Sequence, residues 1–245
     1  MCSPSTISFF DRAVTSADAA GKRVLEVGSY DYNGSIRPFL SKHGPTEYVG
    51  VDMLSGPGVD VVCDAAALVD RFGAASFDVV LSSEMVEHVR DWRQAITNLK
   101  RVCRKDGLIV VTTRSRHFEF HGYPYDFWRY EPSDMEMIFS DCTIELLESD
   151  PDLPGVFVSA RRGSRTADLS GIALWSVLSR DRRVDLSDRV VRWGLLRERA
   201  LQLKRHFQRN QLRRMKEYVP DNLRHGVAKH VLGRHKDGSH NVPED

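Results

Sequence analysis

VLEVGSYDYNGS, residues 24–35, decides the reading of this chain. An apolar strand-like run ends at Gly28, a short loop follows, and Gly34 stands where a helix is expected to begin. A glycine at a strand end tolerates positive φ and lets backbone approach a ligand, and a helix N-terminus offers unpaired N–H groups. The loop is not the dinucleotide fingerprint GxGxxG, because Tyr30 takes the place of its second glycine, so pyrophosphate is disfavoured. Outward from it, YVGVD (48–52), VDVVCD (59–64), FDVVLSS (77–83) and GLIVVTT (107–113) are β-branched runs without alternation, the mark of strands buried on both faces. CTIELLES (142–149) and GVFVSAR (155–161) follow as a terminal pair. Between Asp91 and Lys105, Trp92, Ala95, Ile96, Leu99 and Val102 fall at helical spacing, with Asp106-Gly107 as a stop signal. Strands alternating with helices predict an α/β fold: a Rossmann-like, doubly wound, mostly parallel sheet.

In such sheets ligands lie beyond the carboxyl ends of the strands. Here those ends carry, in order, the Gly28–Gly34 loop, Asp52, Asp64 and SSEMVEH (82–88). Asp52 is placed to accept hydrogen bonds from ribose hydroxyls, and Asp64 is within reach of an adenine amino group. Together these motifs resemble the class I S-adenosylmethionine-dependent methyltransferases, in particular the type 11 group, over roughly residues 23 to 150. The resemblance implies seven strands with a reversed hairpin at the end, and S-adenosylmethionine over Gly28 to Gly34. Residue by residue it implies Glu26 and Gly28 at the methionine part, Asp52 at the ribose, Asp64 at the adenine, and Ser82 and Ser83 near the methyl donor, with Met53 and Ala65 among the cofactor-binding residues. The SYDYN loop is bulkier than the usual GxG, with Ser29 and Tyr30 as further cofactor contacts.

Methyl transfer needs a positioned acceptor and, for a hydroxyl, a base. His88, just beyond the fourth strand, is the expected base, since an ordinary imidazole titrates at about 6.5; the competing reading is a residue that packs a short turn. Glu84, Glu87 and His88 stand at i, i+3 and i+4, which would put all three on one face of a helical turn. That pattern is similar to metal-assisted O-methyltransferases acting on neighbouring hydroxyls, those of ubiquinone biosynthesis and those that methylate the terminal ribose of small RNAs; the latter add a histidine from the loop after the fifth strand, where this chain offers His117, His121 and Asp126 but not their exact histidine pattern around FWR. A divalent metal, Mg²⁺ or Mn²⁺, at this set is the alternative to a metal-free site.

RHFEFHGYPYDFWRY (116–130) interrupts the strand rhythm with seven aromatics. Residues 117–130 are expected to wall the acceptor site, with His117, His121, Tyr125, Trp128 and Arg129 touching the acceptor; the competing readings are a satellite core and an Arg129–carboxylate pair. HGYPYDFWRYEPSDM also resembles a segment of type 11 members encoded with glycan-building enzymes, which implies a glycan or other small-molecule acceptor.

The 245 residues carry 35 Lys+Arg against 34 Asp+Glu, an even balance that hides a split. Residues 1–160 hold 15 cations and 24 acids, a net of −9; residues 161–245 hold 20 and 10, a net of +10. The expected organisation is a helical lead-in (1–22), a cofactor-binding domain (23–163) and a basic, mainly helical extension (164–245) frayed from Leu232 on. Trp193, Leu196, Ala200, Leu203 and Phe207 recur at three- and four-residue steps in that extension, a seam for its own domain, a second subunit or a partner enzyme, with nucleic acid or a membrane surface as alternatives. The four cysteines show no pairing or metal spacing, no stretch is long and apolar enough to span a bilayer, and no secretory leader is visible, so a cytoplasmic protein is expected. The composite expectation is O-methylation of a sugar-containing or small hydroxylated acceptor. Its rivals are an RNA methyltransferase using the basic tail and a non-catalytic cofactor-fold subunit that docks a partner enzyme.

Overall fold

A computed structural model describes residues 3–32, 34–122, 124–180 and 182–218; Tyr123 and the expected frayed end fall outside them. The chain runs α1 (Pro4–Ala13), α2 (Ser16–Ala19), β1 (Arg23–Val27), α3 (Arg37–Ser41), β2 (Glu47–Asp52), β3 (Val61–Val62), α4 (Leu68–Phe72) and β4 (Phe77–Ser83). It continues through α5 (Trp92–Val102), β5 (Cys103–Arg114), β6 (Trp128–Arg129), α6 (Pro132–Ile138), β7 (Cys142–Ser149) and β8 (Gly155–Arg162). β9 (Trp175–Ser176), β10 (Arg182–Arg183) and α7 (Asp188–Tyr218) complete it. Seven strands pair in the order β3-β2-β1-β4-β5-β8-β7. β8 is antiparallel to β5 and β7, and the other pairs are parallel, so the reversed terminal hairpin is present.

Two cores explain the unbroken apolar runs. Val79 and Leu81 of β4 join Val24, Leu108, Val110 and the α1 residues Phe9 and Phe10 on one face. Phe77 and Val80 join Leu25, Val27, Ile109, Val111 and the α5 residues Ala95, Ile96 and Leu99 on the other. With both faces covered, every β4 position is buried and polar alternation has no place. α5 starts where Asp91 accepts the Gln94 N–H at 3.1 Å, but it ends at Val102, short of the expected Lys105. Asp106 (φ 61°) and Gly107 shape an irregular entry into β5 instead of stopping the helix. A Cβ at Gly107 would lie 2.7 Å from the Asp78 carbonyl oxygen. β3 is only two residues, shorter than VDVVCD, because its pairing with β2 is limited to Val51↔Val61 and Asp52↔Val62.

The expected border at Gly163 is not where the fold divides. β9 pairs with β6 and β10 in a second, three-stranded sheet, and Leu169, Ile172, Leu174 and Leu178 are buried in the same core as Trp128 and Tyr130. Arg93 secures this returning segment, donating to the Leu169 carbonyl at 3.0 Å and pairing with Asp185 at 2.8 Å. Cations beyond residue 160 meet acids of the body: Arg161 with Asp18 at 2.6 Å and Arg183 with Asp134 at 2.5 Å. These two cations therefore find their acidic partners within the same unit. That unit runs from Met1 to Leu195, and a second begins at Leu196. Cys63, Cys103 and Cys142 are free thiols.

Candidate active site

The sheet order reverses between β1 and β4, and the crevice at such a switch point is where ligands sit. Gly28 ends β1 with φ +84°, and a Cβ there would fall 2.6 Å from the Met85 side chain, so glycine is required by conformation and by this close neighbour. The SYDYN loop folds against the residues after β2: Asp31 N–H donates to the Pro57 carbonyl at 2.9 Å, and a Cβ at Gly56 would strike the Tyr30 ring at 2.4 Å. Asp52 ties the two segments, accepting from Leu54 N–H at 3.0 Å and Tyr30 N–H at 3.4 Å. Gly34 does not open a helix. Its N–H donates to Asp31 at 2.7 Å, and α3 begins only at Arg37. Asp64 caps the turn 65–67 through Ala66 N–H at 2.8 Å, while Asn98 holds the Ala65 carbonyl at 2.9 Å. Met53 is exposed; Ser82 and Ser83 are buried at the end of β4.

Beyond β4, Glu84 takes a left-handed φ of 52° and the chain makes a short 3₁₀ turn over Val86–His88. That geometry breaks the expected face of Glu84, Glu87 and His88. Glu84 turns to a buried ion pair with Arg114, its carboxyl pushed upward by burial and by the neighbouring Glu87 against the pull of Arg114. His121 takes its place beside Glu87 and His88, donor atoms of all three lying within 4.8 Å of one another. Glu87 is fully buried: Oε2 accepts from Thr113 Oγ1 at 2.7 Å, while Oε1 has no hydrogen-bond partner and lies 3.8 Å from Nε2 of both His88 and His121. His88 Nδ1 bonds the Tyr125 carbonyl, and His121 Nδ1 is 3.1 Å from Asp126 Oδ2. Burial works to raise the Asp126 carboxyl, but hydrogen bonds from Arg129 and His121 outweigh it and hold the group below its ordinary value.

The aromatic loop divides between wall and core. Trp128 is buried and donates to the carbonyls of Val89 and Arg90 at 3.0 and 3.1 Å. Arg129 is 1% exposed, bonded to Asp126 at 2.6 and 2.9 Å and to the carbonyls of Phe118, Glu119 and Trp128. Both side chains are held inside and brace the loop, and Phe120 and Phe127 join the core beneath. Tyr125 and His117 are exposed and His121 is half-buried, so these remain of the expected acceptor contacts. Sequence reasoning missed Thr113, Arg114 and Met85. A threonine or arginine at a strand end carries no signal until the neighbouring carboxylate is placed.

Residues 6–140, more than half of the chain, match a family model described as a methyltransferase domain. The chain belongs to this methyltransferase family. The methyltransferase family expected from the strand-end motifs is thus the one observed. No curated protein matches the methyltransferase. Among solved structures it is similar to the [4+2]-cyclase SpnF (TM-score 0.50, 12% identity, 64% of this chain and 80% of that one). It is also similar to the 1,6-didemethyltoxoflavin-N1-methyltransferase of Burkholderia thailandensis with bound 1,6-didemethyltoxoflavin and S-adenosylhomocysteine (0.49, 16%, 66% and 77%). A third is an S-adenosylmethionine-dependent methyltransferase from Mesorhizobium loti (0.45, 18%, 59% and 93%). At these identities the likeness is one of fold, and a fold that also serves a cyclase leaves the reaction to be argued from the site.

The strand ends of this methyltransferase suit a polar cofactor: Ser29 Oγ and Ser82 Oγ are buried without a hydrogen-bond partner among the described residues. Glu26 is buried too. Burial lifts its carboxyl from 4.5 to about 7, although Tyr48 donates to it at 2.7 Å. A folded-state value above the unfolded one means the native state binds this proton more tightly. Stability is therefore lost as pH rises from about 4.5 through 7, by an amount on the order of 3 kcal/mol. Cofactor-free wild-type protein unfolded in urea is expected to lose that much more stability between pH 5 and pH 8 than Glu26→Gln; equal losses would contradict the raised value.

Proposed function

We propose that this methyltransferase acts on an oxygen of a sugar-containing or small hydroxylated acceptor, with His88 taking the acceptor's proton. S-adenosylmethionine supplies an electrophilic methyl group on a sulfonium. The observation that carries the reading is the contact of His88 Nδ1 with the Tyr125 carbonyl, a group that only accepts: a neutral imidazole bonded there donates from Nδ1 and keeps its lone pair on Nε2, beyond the end of β4. Tyr125, His117 and His121 offer the acceptor ring faces and polar tips. A screen of labelled methyl transfer onto sugars, phenols and RNA tests the reading; label on a sugar or phenol oxygen supports it, and label on RNA or on nitrogen or carbon alone overturns it.

Asp52 holds the cofactor's ribose in this reading. Asp52→Ala is expected to weaken S-adenosylmethionine about 10- to 100-fold in calorimetry, as charged hydrogen bonds are lost. Unchanged affinity would remove Asp52 from the site.

A second reading rests on the convergence of Glu87, His88 and His121. Two imidazoles and an unpartnered carboxylate oxygen, with His88 Nδ1 on the Tyr125 carbonyl and His121 held by its backbone N–H on Asp126, are a donor set for a divalent cation. Two nitrogens and one oxygen suit Mn²⁺, Fe²⁺, Co²⁺ or Zn²⁺ better than Mg²⁺. A cation near 2.1 Å from each donor needs separations of about 3.4 Å, a small step from the 3.8 Å seen. Here His88 is a ligand and not the base. Chelator-stripped protein is expected to lose turnover and regain it with Mn²⁺ or Co²⁺; full turnover after stripping leaves the base reading alone.

A further inference from the structure

α7 (Asp188–Tyr218) is the most basic element of the chain, with ten Lys and Arg against three Asp and Glu. At 100° per residue, Trp193, Leu196, Ala200, Leu203 and Phe207 fall within an arc of about 80°. The large members of that arc are exposed: Trp193 64%, Leu196 54%, Leu203 61% and Phe207 63%. The helical projection sets Arg192 and Arg199 along one edge of the arc, and Lys204 along the other beside Arg197, whose guanidinium pairs with Glu198 at 2.6 Å. Val191 and Leu195, on a different side of the helix, pack against the core of the body.

An exposed stripe of tryptophan, leucine and phenylalanine with cations along both borders fits a surface that is apolar beneath and anionic at its rim. A lipid bilayer bearing anionic headgroups has that layering: aromatic and aliphatic side chains enter the acyl boundary while Arg and Lys stems reach up to the phosphates. A second copy of α7 is a poor partner, since two helices of net +7 repel each other. Single-stranded nucleic acid would satisfy the cations and leave the aliphatic stripe in water. Among the described residues no helix is long and apolar enough to cross a membrane, so the fitting geometry is a helix lying in the interface plane.

We propose that α7 binds the surface of an anionic phospholipid membrane through the Trp193–Phe207 stripe, which brings the body to lipid-borne or lipid-adjacent acceptors. The proposal is independent of the acceptor atom and of the base. It is tested by co-sedimentation of the full chain with vesicles of phosphatidylcholine alone, or of phosphatidylcholine with 30% phosphatidylglycerol. Binding is expected on the anionic vesicles, falling with added salt. Leu203→Glu is expected to weaken it about 10- to 100-fold, because a buried Leu contact is exchanged for a charge. Unchanged S-adenosylmethionine binding and melting temperature show that the variant folds. No sedimentation with anionic vesicles overturns the proposal. So does binding that Leu203→Glu leaves untouched, or binding of an RNA oligomer in place of vesicles.

Discussion

Replacing His88 by alanine is expected to lower kcat about 10²- to 10⁴-fold while S-adenosylmethionine affinity stays within a few-fold of wild type. The split between the two quantities follows from position. In the proposed site the ribose and adenine contacts belong to the ends of β2 and β3, whereas His88 lies beyond β4 against the loop of Tyr125. The substitution is mild for the fold: the ring is 27% exposed, touching the Tyr125 carbonyl and, at 4.7 Å between centroids, the ring of His121. His88→Gln keeps a donor and similar bulk but has no basic lone pair, so it should be as inactive as alanine. Turnover in Gln with loss in Ala would assign His88 to packing, and normal turnover in both would remove it from the chemistry.

The sheet was legible because its signal is physical and local. A strand covered on both faces favours an unbroken apolar run, and FDVVLSS, whose polar residues Asp78, Ser82 and Ser83 sit near its two ends, matches β4 residue for residue. The loop Gly28–Gly34 was legible as a break after β1, but not its geometry, since the Asp31 bond that takes the Gly34 N–H is invisible before the chain turns. Glu84 shows the limit most clearly. An i, i+3, i+4 spacing puts three side chains together only if the backbone is helical, and one residue at φ 52° sends Glu84 to Arg114 and leaves its place to His121, thirty-odd residues on. The Gly163 border misled for a different reason. Composition thins at that point, yet four apolar residues, Leu169, Ile172, Leu174 and Leu178, are enough to return the chain to the core. Trp128 and Arg129 read as exposed recognition residues by type, and only the carbonyls around them show that they are used inside.

Arg129→Ala is expected to destabilise the protein by about 3–5 kcal/mol and to lower its melting temperature by roughly 10 °C or more. The size comes from what the substitution leaves behind. Asp126 has no exposed surface, and its carboxylate is kept ionised by the two guanidinium bonds together with His121. Without Arg129 that charge is buried with a single, half-exposed partner, and the carbonyls of Phe118, Glu119 and Trp128 lose their donor as well. Arg129→Lys should recover little, since one ammonium does not span a carboxylate and three carbonyls. The double variant Asp126→Ala, Arg129→Ala removes the stranded charge and should regain part of the loss, leaving the cost of the orphaned carbonyls; the shortfall from additivity measures the pair. Because Asp126 also braces His121, each of these variants should loosen the loop that carries Tyr125 and depress kcat beyond its effect on the melting temperature. An Arg129→Ala protein with wild-type melting temperature and a raised KM for an anionic acceptor would instead return Arg129 to the acceptor site.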